Sequence, residues 1–279
     1  MVLEKLPIAV SFGGGVQSTA ILHLVLDGKL PEPDLWVFAD VGDEPQSVYD
    51  HMDKCASLMR SAGYRLEVVT RPDLGPSLSE HVLARAEAGE RGISMPPMFV
   101  ESGTTAMPVR RGCTFDFKSR AIDRKVKEVF GVRRGERQAR VTQWLGISLD
   151  ETQRMRTSTD KWREFRYPLI ELEPMRRPAI IRYLQGKGIN APRSACTFCP
   201  FHSNAEWRRV RADRPSWRAA VEFERRVHAA YDEHGHVAGL ASKPYLHRQR
   251  VPLEEANLGD DQLDLFGGMH NECAGVCGV

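Results

Sequence analysis

A run of three glycines directly after a short apolar segment constrains the fold of this chain more than any other feature. Residues 7–12 (PIAVSF) have the pattern of a short buried strand, and Gly13, Gly14 and Gly15 follow them. Residues 18–26 then carry apolar side chains at helical spacing. This order of strand, glycine turn and helix is typical of the unit that opens the parallel sheet of an α/β protein.

The same alternation continues along the first half of the chain. Residues 35–39 (LWVFA) and 65–69 (RLEVV) predict two more strands, with a helix over 47–62 between them. Residues 118–130 predict a basic amphipathic helix, and 139–147 predict a further buried strand. We therefore expect an α/β fold with a Rossmann-like parallel sheet and helices on both of its faces.

After Pro168 the pattern becomes mostly helical and includes cysteines. A soft boundary near 165 divides the chain into an α/β domain over 1–165 and a smaller, helical, cysteine-bearing region over 166–279. Residues 75–107 are mixed and predict an insertion or an active-site lid. The helices expected in the second region cover 178–186, 203–212 and 215–233.

Composition limits the class of protein. The 279 residues are 42% hydrophobic, which is enough for a core, and the net charge of +2 excludes a polybasic or acidic tail protein. The sequence contains neither a secretory leader pattern nor an apolar run that could span a bilayer, so we expect a cytoplasmic protein with no membrane partner. In a reducing compartment, six cysteines favour metal or redox sites over disulfides.

The glycine run has the chemistry of a phosphate loop. Consecutive glycines let backbone N–H groups approach a phosphate closely, and the next helix offers its positive end. Ser11, Ser18 and Thr19 add hydroxyl groups. The two common phosphate-loop patterns do not fit, because no Lys precedes Ser18 and no Gly occupies its position. A tight structural turn is the alternative interpretation.

The run Ser11–Thr19 resembles the loop of the adenine nucleotide α-hydrolase family, the PP-loop ATP pyrophosphatases and phosphoadenylylsulfate reductases, whose pattern is close to S-F-S-G-G-K-D-S-T. Gly13, Val16 and Gln17 replace the family's Ser, Lys and Asp. Three further segments resemble the family in the expected order. They are FADVGDEP at 38–45, GISLDETQR at 146–154 (family pattern G-I-R-x-D-E-x-x-R) and YPL at 167–169.

This resemblance implies a fold of the HUP (PP-loop) type, with ATP and Mg²⁺ as ligands. It makes Asp150 and Glu151 candidate catalytic carboxylates. The nucleotide-binding residues that it implies are Ser11, Gly13, Gly14, Gly15, Gln17, Ser18, Thr19, Asp40, Gly146 and Arg154.

Cysteines predict a metal site. Cys196 and Cys199 form a C-x-x-C turn, and Cys113 from a distant segment adds a third thiolate. Such a set suits an iron–sulfur cluster or Zn²⁺, and a simple dithiol is a further alternative. The spacing resembles the cluster-bearing adenylylsulfate reductases and so implies a [4Fe–4S] cluster, although Gly112 stands where they have another Cys. The candidates for a fourth ligand are Cys273, Cys277 and His202.

Cys273 has a second interpretation. The tail Glu272-Cys273-Ala274-Gly275 resembles the reductases' C-terminal E-C-G-x-H, whose Cys is the sulfur nucleophile, so Cys273 is also a candidate catalytic residue. Cys55 lies on a predicted helix and is expected in the core.

Two arginine-rich stretches favour a polyanionic partner. Residues 110–140 contain eleven Lys or Arg against four Asp or Glu. Residues 208–226 are also rich in arginine; Trp207 precedes this stretch and Trp217 lies within it. Arginine binds phosphate bidentately, and aromatic rings stack on unpaired bases. Ordinary solvated helix faces, or a small substrate with several phosphates, are the alternatives.

Three functions remain open from the sequence. The first is an ATP-dependent iron–sulfur sulfur transferase that acts on tRNA or DNA, with a sulfur donor such as a cysteine desulfurase as partner and a homodimer as its assembly. The resemblance here extends to DNA phosphorothioation enzymes. The second is a phosphoadenylylsulfate or adenylylsulfate reductase, and the third is a zinc-stabilised nucleic-acid-binding protein with a degenerate nucleotide site.

Overall fold

The computed structural model describes residues 6–102, 105–108 and 112–259. Five strands form one parallel sheet in the order β3-β2-β1-β6-β7, and β4 and β5 form an antiparallel hairpin. The seven strands are β1 (Ile8–Ser11), β2 (Leu35–Ala39), β3 (Leu66–Val69), β4 (Phe99–Ser102), β5 (Thr105–Pro108), β6 (Val141–Trp144) and β7 (Arg163–Arg166). The prediction of an α/β fold with a parallel sheet is confirmed.

Eight α-helices accompany the strands in the described residues. They are α1 (Val16–Leu26), α2 (Gln46–Ser61), α3 (Leu78–Glu87), α4 (Arg120–Val129), α5 (Pro168–Glu171), α6 (Arg177–Gly186), α7 (Asn204–Ala212) and α8 (Arg214–His234). A π-helix over Thr114–Ser119 leads directly into α4, and 3₁₀ helices cover Leu149–Arg154 and Leu253–Glu255. Ser77 begins α3 by accepting a hydrogen bond from the Glu80 N–H at 3.2 Å, which is a helix start inside the stretch that sequence patterns left mixed.

Helices cover both faces of the sheet. On one face, Val10, Trp36 and Phe38 of the strands pack against α1, α2 and α6. On the other face, Ala9 and Val37 pack against α4. Both clusters are almost fully buried, so the sheet is the centre of a two-sided core, as the near-continuous apolar strands predict.

A third cluster lies beside the sheet. It combines α3 with α7 and α8, and its largest buried side chains are Trp207, Phe198 and Phe223. Phe117 of the π-helix joins it, so the segment around Cys113 and the segment around Cys199 pack into the same cluster. The boundary near 165 stays a prediction. In the described residues no helix is both long and apolar enough to cross a membrane.

Strand order identifies the crevice that a ligand would enter. From β1 the chain passes to β2 and β3 in one direction, whereas β6 lies on the other side of β1 and leads to β7. In open parallel sheets, ligands bind outside the carboxyl ends of the strands where the order reverses. Here that point lies between β1 and β6, next to the glycine run that follows β1.

Candidate functional site

The glycine run forms a tight turn between β1 and α1. Gly14 has φ +71°, a backbone conformation in which any other residue is strained, and a Cβ on it would lie 2.6 Å from the Met52 Sδ. Gly15 is the N-cap residue of α1 and provides no capping side chain, and the first turn contains no acidic residue. The first N–H groups of α1 are therefore suited to an anion.

The loop's hydroxyl groups are already engaged inside the protein. Ser11 Oγ accepts from Gln143 Nε2 at 2.9 Å, and Ser18 Oγ donates to the Gly15 carbonyl at 3.2 Å. Thr19 Oγ1 lies 2.9 Å from His51 Nε2 and is fully buried. Because these hydroxyl groups bond within the protein, this arrangement does not favour them as donors to a phosphate. The backbone N–H groups of the loop are better suited to that role.

Cys55 shares this buried environment. Its Sγ lies 3.4 Å from His51 Nε2, and burial raises the pKa of the thiol to about 12. The thiol is therefore protonated and inert at neutral pH, which matches the expectation of a core residue.

The end of β6 approaches the first turn of α1 because Gly146 has no side chain. A Cβ on Gly146 would lie 3.3 Å from the Gln17 Cβ and 3.4 Å from the Ser18 nitrogen. This close contact brings the predicted segment at 146–154 to the phosphate loop.

Gln17 is the centre of a hydrogen-bonded network at this contact. Its Nε2 donates to Glu151 Oε2 at 2.8 Å, and its Oε1 accepts from Arg177 Nη1 at 3.4 Å. Arg154 Nη1 donates to the other oxygen of Glu151 at 2.5 Å. Glu151 is buried and bound on both oxygens, so it is better suited to positioning Gln17 and Arg154 than to moving a proton.

Asp150 differs from Glu151 because it is exposed. Its carboxylate accepts the backbone N–H of Arg177 at 3.0 Å. Burial raises the pKa of Asp150, but hydrogen bonds from Ser148 and Arg177 lower it by more, and the net shift is downward. An ionised carboxylate with access to solvent therefore lies at the carboxyl end of β6.

The segment after β2 forms the other wall of the crevice. Asp40 Oδ1 accepts from the Gly42 N–H at 2.8 Å and from the Tyr49 hydroxyl at 2.9 Å, so its carboxylate stabilises its own turn. Asp43 accepts two hydrogen bonds from Ser79, at 2.7 Å and 2.6 Å. Its backbone carbonyl accepts the Thr197 N–H at 2.9 Å. This last bond ties the turn after β2 to the C-x-x-C loop.

A buried ion pair also connects the turn after β2 to the cysteines. Lys118 Nζ lies 3.1 Å from Glu44 Oε1, and the exposed fractions of the two side chains are 7% and 0%. Burial lowers the pKa of Lys118, but Glu44 and the thiols of Cys196 and Cys113 raise it by more. Lys118 is therefore a cation beside two of the predicted metal ligands. No sequence pattern predicts this contact, because Lys118 belongs to the π-helix over Thr114–Ser119, which ordinary helical periodicity does not indicate.

The structure brings Cys113, Cys196 and Cys199 together. The Cys196 thiol is hydrogen-bonded to that of Cys199, and this bond and burial raise its pKa. Burial and the neighbouring Cys199 raise the pKa of Cys113 to about 11. The thiols of Cys113 and Cys196 are thus costly to ionise in isolation, and thiols of this kind have the chemistry of ligands for a soft, positively charged metal centre.

A fourth ligand cannot come from position 112. A Cβ on Gly112 would lie 2.8 Å from the Ser94 Cα and 3.0 Å from the Met95 nitrogen, so backbone fills the space that a side chain needs. This explains the glycine where the resemblance would place Cys.

Of the other candidates for a fourth ligand, the structure describes His202 but not Cys273 or Cys277. His202 donates from Nε2 to the Cys196 carbonyl at 3.1 Å, its Nδ1 is buried with no hydrogen-bond partner, and burial lowers its pKa to about 3. Its ring is neutral and keeps a free lone pair. Cys273 and Cys277 lie outside the described residues. Within the described residues, no group of three or more His, Cys, Asp or Glu side chains has the arrangement of a metal site. Cys113, Cys196 and Cys199 are therefore neighbours whose thiols are not positioned as a ready set of ligands.

In the arginine-rich stretch over 208–226, fewer aromatic and arginine side chains are available to a nucleic acid than the sequence suggests. Trp207 is fully buried, so the expectation that its ring stacks on a base is wrong. Trp217 is half-buried and packs against the core. Arg209, Arg225 and Arg226 pair with glutamates. The arginines of this stretch that are exposed and form no ion pair with a described carboxylate are Arg211, Arg214 and Arg218.

The structure adds one exposed aromatic side chain that the sequence patterns did not single out. Phe115 is 51% exposed, lies two residues after Cys113, and has the Arg120 guanidinium 4.4 Å from its ring centre. An exposed ring with a neighbouring cation has the chemistry to stack on a nucleic-acid base.

A comparison with protein-family models finds no matching family, and a comparison with curated proteins finds no matching relative. Function must therefore be inferred from the site itself.

Proposed function

We propose that this protein is an ATP-dependent sulfur transferase that adenylates an oxygen of a nucleic acid, releases pyrophosphate and replaces that oxygen with sulfur. The observation that carries this proposal is the link between the phosphate-loop crevice and the cysteines. Two contacts make this link, and both involve the turn after β2. The Asp43 carbonyl accepts the Thr197 N–H at 2.9 Å, and Glu44 pairs with Lys118 at 3.1 Å. The nucleotide site and the thiols would therefore lie on either side of this turn.

The first step is adenylation. The backbone N–H groups after Gly14 would hold the phosphates of ATP, and the substrate oxygen would attack the α-phosphorus while the bond to pyrophosphate breaks. Asp150 is ionised and exposed at this crevice, so it would bind Mg²⁺, whose charge neutralises the leaving pyrophosphate. Glu151 and Arg154 would keep Gln17 in place.

In the second step, sulfide would attack the activated carbon or phosphorus and form the new bond to sulfur, while the bond to the adenylated oxygen breaks and AMP leaves with that oxygen. Cys113, Cys196 and Cys199 would hold a [4Fe–4S] cluster, which supplies a site for sulfide, and Zn²⁺ is the alternative occupant. Lys118 lies beside these thiols and its positive charge favours their thiolate forms. Phe115 and the exposed arginines of α7 and α8 would contact tRNA or DNA. A cysteine desulfurase or another sulfur donor would deliver sulfur, and a homodimer stays an open proposal.

The test begins with protein purified without oxygen. We expect a broad visible absorbance, with iron and sulfide by chemical analysis, and pyrophosphate release from ATP that tRNA or DNA stimulates. Cys196→Ser should lose the iron and the colour. Cys55→Ala is the matched control, because that cysteine belongs to the core cluster of α1 and α2, apart from the cluster that contains Cys113 and Cys196, and this variant should keep both the iron and the colour.

Two outcomes would contradict the proposal. A colourless protein that holds only zinc and releases no pyrophosphate would favour the nucleic-acid-binding protein. Production of sulfite from adenylylsulfate, abolished by Cys273→Ser, would favour the reductase.

A further inference from the structure

A basic cleft lies between α7 and the last segment of the chain that the structure describes. Its volume is about 450 Å³, and it is wide open to solvent. The described residues that line it are Arg208, Arg211, Ala256, Asn257, Leu258 and Gly259. Two of these residues are cations and none of them is acidic, so the cleft favours a negatively charged ligand.

Arg208 is held in place between the two walls of this cleft. Its Nη1 donates to the Leu258 carbonyl at 2.5 Å and to the Gly259 carbonyl at 3.0 Å. Both acceptors are neutral, so these bonds orient the guanidinium without cancelling its charge. A guanidinium has five N–H donors, and the hydrogen bonds between Arg208 and the described residues use Nη1 alone. Nε and Nη2 can therefore donate to a ligand.

The wall opposite α7 is fixed by hydrogen bonds of its own. Asn204 Nδ2 donates to the Gly259 carbonyl at 3.1 Å, and the Gly259 N–H donates to Asn257 Oδ1 at 2.9 Å. Gln249 Oε1 accepts the Asn257 N–H at 2.9 Å. Leu258 is buried in the core cluster that contains α7 and α8. The cleft is therefore part of the packed fold.

Arg211 adds a second cation on the same side of α7. It lies three residues after Arg208, so the two side chains are neighbours on the helix surface. Arg211 is exposed and forms no ion pair with a described carboxylate. Arg214 and Arg218 follow at the start of α8, where both are exposed and Arg218 Nε donates to the Arg214 carbonyl at 3.3 Å. A row of cations suits a polymer with regularly spaced negative charges.

The helix α7 also connects this row to the cysteines. It follows the C-x-x-C loop in the chain, and the ring of its Trp207 packs edge-on against that of His202, with the ring centres 4.8 Å apart. One face of α7 thus contacts the cysteine loop, and a neighbouring face of the same helix lines the cleft. A strand bound in the cleft would run beside the proposed site of sulfur transfer.

We infer that this cleft binds a phosphate of a nucleic-acid backbone, and that Arg214 and Arg218 contact the phosphates that follow. This rests on the proposed function, in which a nucleic acid is the substrate. The described residues that line the cleft include no aromatic side chain that could stack on a base. Contacts to phosphate position a nucleic acid without reading its sequence, so binding here is independent of the bases.

The experiment measures the binding of labelled tRNA and labelled single-stranded DNA by fluorescence anisotropy at several salt concentrations. Arg211→Ala should weaken binding by about threefold to tenfold for every base sequence, because one charge-assisted hydrogen bond to phosphate is lost. The slope of log K against log salt concentration should fall by about 1. Arg211→Lys should restore this slope, because it keeps the charge. The tighter of the two ligands identifies the kind of nucleic acid.

Arg209→Ala is the matched control. Arg209 lies on the same helix and is exposed, but it pairs with Glu206 at 2.7 Å and does not line the cleft, so affinity should stay within about twofold. The full chain is used, so that the acidic residues that follow Gly259 in the sequence are present. Circular dichroism checks that each variant is folded.

The outcomes separate this inference from the proposed function. If the unmodified chain binds nucleic acid and Arg211→Ala binds it equally well with the same salt slope, the role of the cleft is wrong and the proposed function stands. If Arg211→Ala weakens the binding of one base sequence alone, the cleft reads bases and the inference is also wrong. If the unmodified chain binds neither tRNA nor DNA, the proposed function fails, and this inference with it.

Discussion

Replacing Lys118 with Met should destabilise the protein strongly. The change keeps most of the side chain's volume but removes the only described cation that lies within bonding distance of Glu44, whose side chain is 0% exposed. Glu44 Oε2 already has no hydrogen-bond partner, so the variant would leave a buried carboxylate without compensation. Breaking one side of a buried ion pair costs about 3–5 kcal/mol. This is a large part of the roughly 5–15 kcal/mol that stabilises a typical domain.

Urea denaturation followed by circular dichroism measures this loss. Glu44→Gln combined with Lys118→Met removes both charges, so the double variant should be more stable than Lys118→Met alone. The control is Arg225→Met, which breaks an ion pair between side chains that are 70% and 51% exposed and should leave stability nearly unchanged. Two results would refute the reasoning. One is a loss below about 1 kcal/mol for Lys118→Met, which is the range of exposed pairs. The other is additive losses in the double variant.

Three further changes test other parts of the structure. Burial raises the pKa of Glu224 from 4.5 to about 7, so the folded state holds the proton more tightly than the unfolded state. The free energy of unfolding should therefore fall by at most about 3 kcal/mol as the pH rises from about 4.5 to 7. In urea titrations, Glu224→Gln should remove much of this pH dependence. Gly112→Ala should cost about 1–3 kcal/mol, because its Cβ would meet the Ser94 backbone at 2.8 Å, whereas Gly186→Ala, with nothing within 4 Å, should be neutral or slightly stabilising in thermal melts. Gly146→Ala should lower ATP affinity several-fold by pushing Gln17 away, and unchanged affinity would show that the contact at 3.3 Å relaxes without effect.

The sheet and most helices could be predicted because they depend on local patterns. A buried parallel strand such as β2 is apolar at every position, and a helix such as α8 repeats its apolar residues at helical spacing, so each reports its own type. The helix α3 was not predicted because its start depends on one capping bond, which the Glu80 N–H donates to the Ser77 hydroxyl, rather than on a strong apolar repeat. Strand order, and hence the crevice between β1 and β6, is not written in any local pattern.

The site was predicted in part for the same reason. The glycine run and the C-x-x-C turn are short and visible in the sequence, whereas their partners are distant. Arg177 and Gln17 are 160 positions apart, and Lys118 and Glu44 are 74 apart. Such pairs follow from packing of whole elements. Gly112 is a third kind of case, because the space that forbids a side chain there is made by backbone at Ser94.

The packing of α6 on α1 has a consequence for how the chain unfolds. Ten consecutive residues of α1, from Val16 to Val25, are buried, and Leu169, Ile180 and Leu184 cover part of that surface from beyond position 165. A fragment that ended at 165 would expose this part of the apolar surface to water and would therefore be less stable. We therefore expect the glycine loop and α6 to gain hydrogen-exchange protection as one cooperative unit, since α6 covers part of the apolar surface of α1.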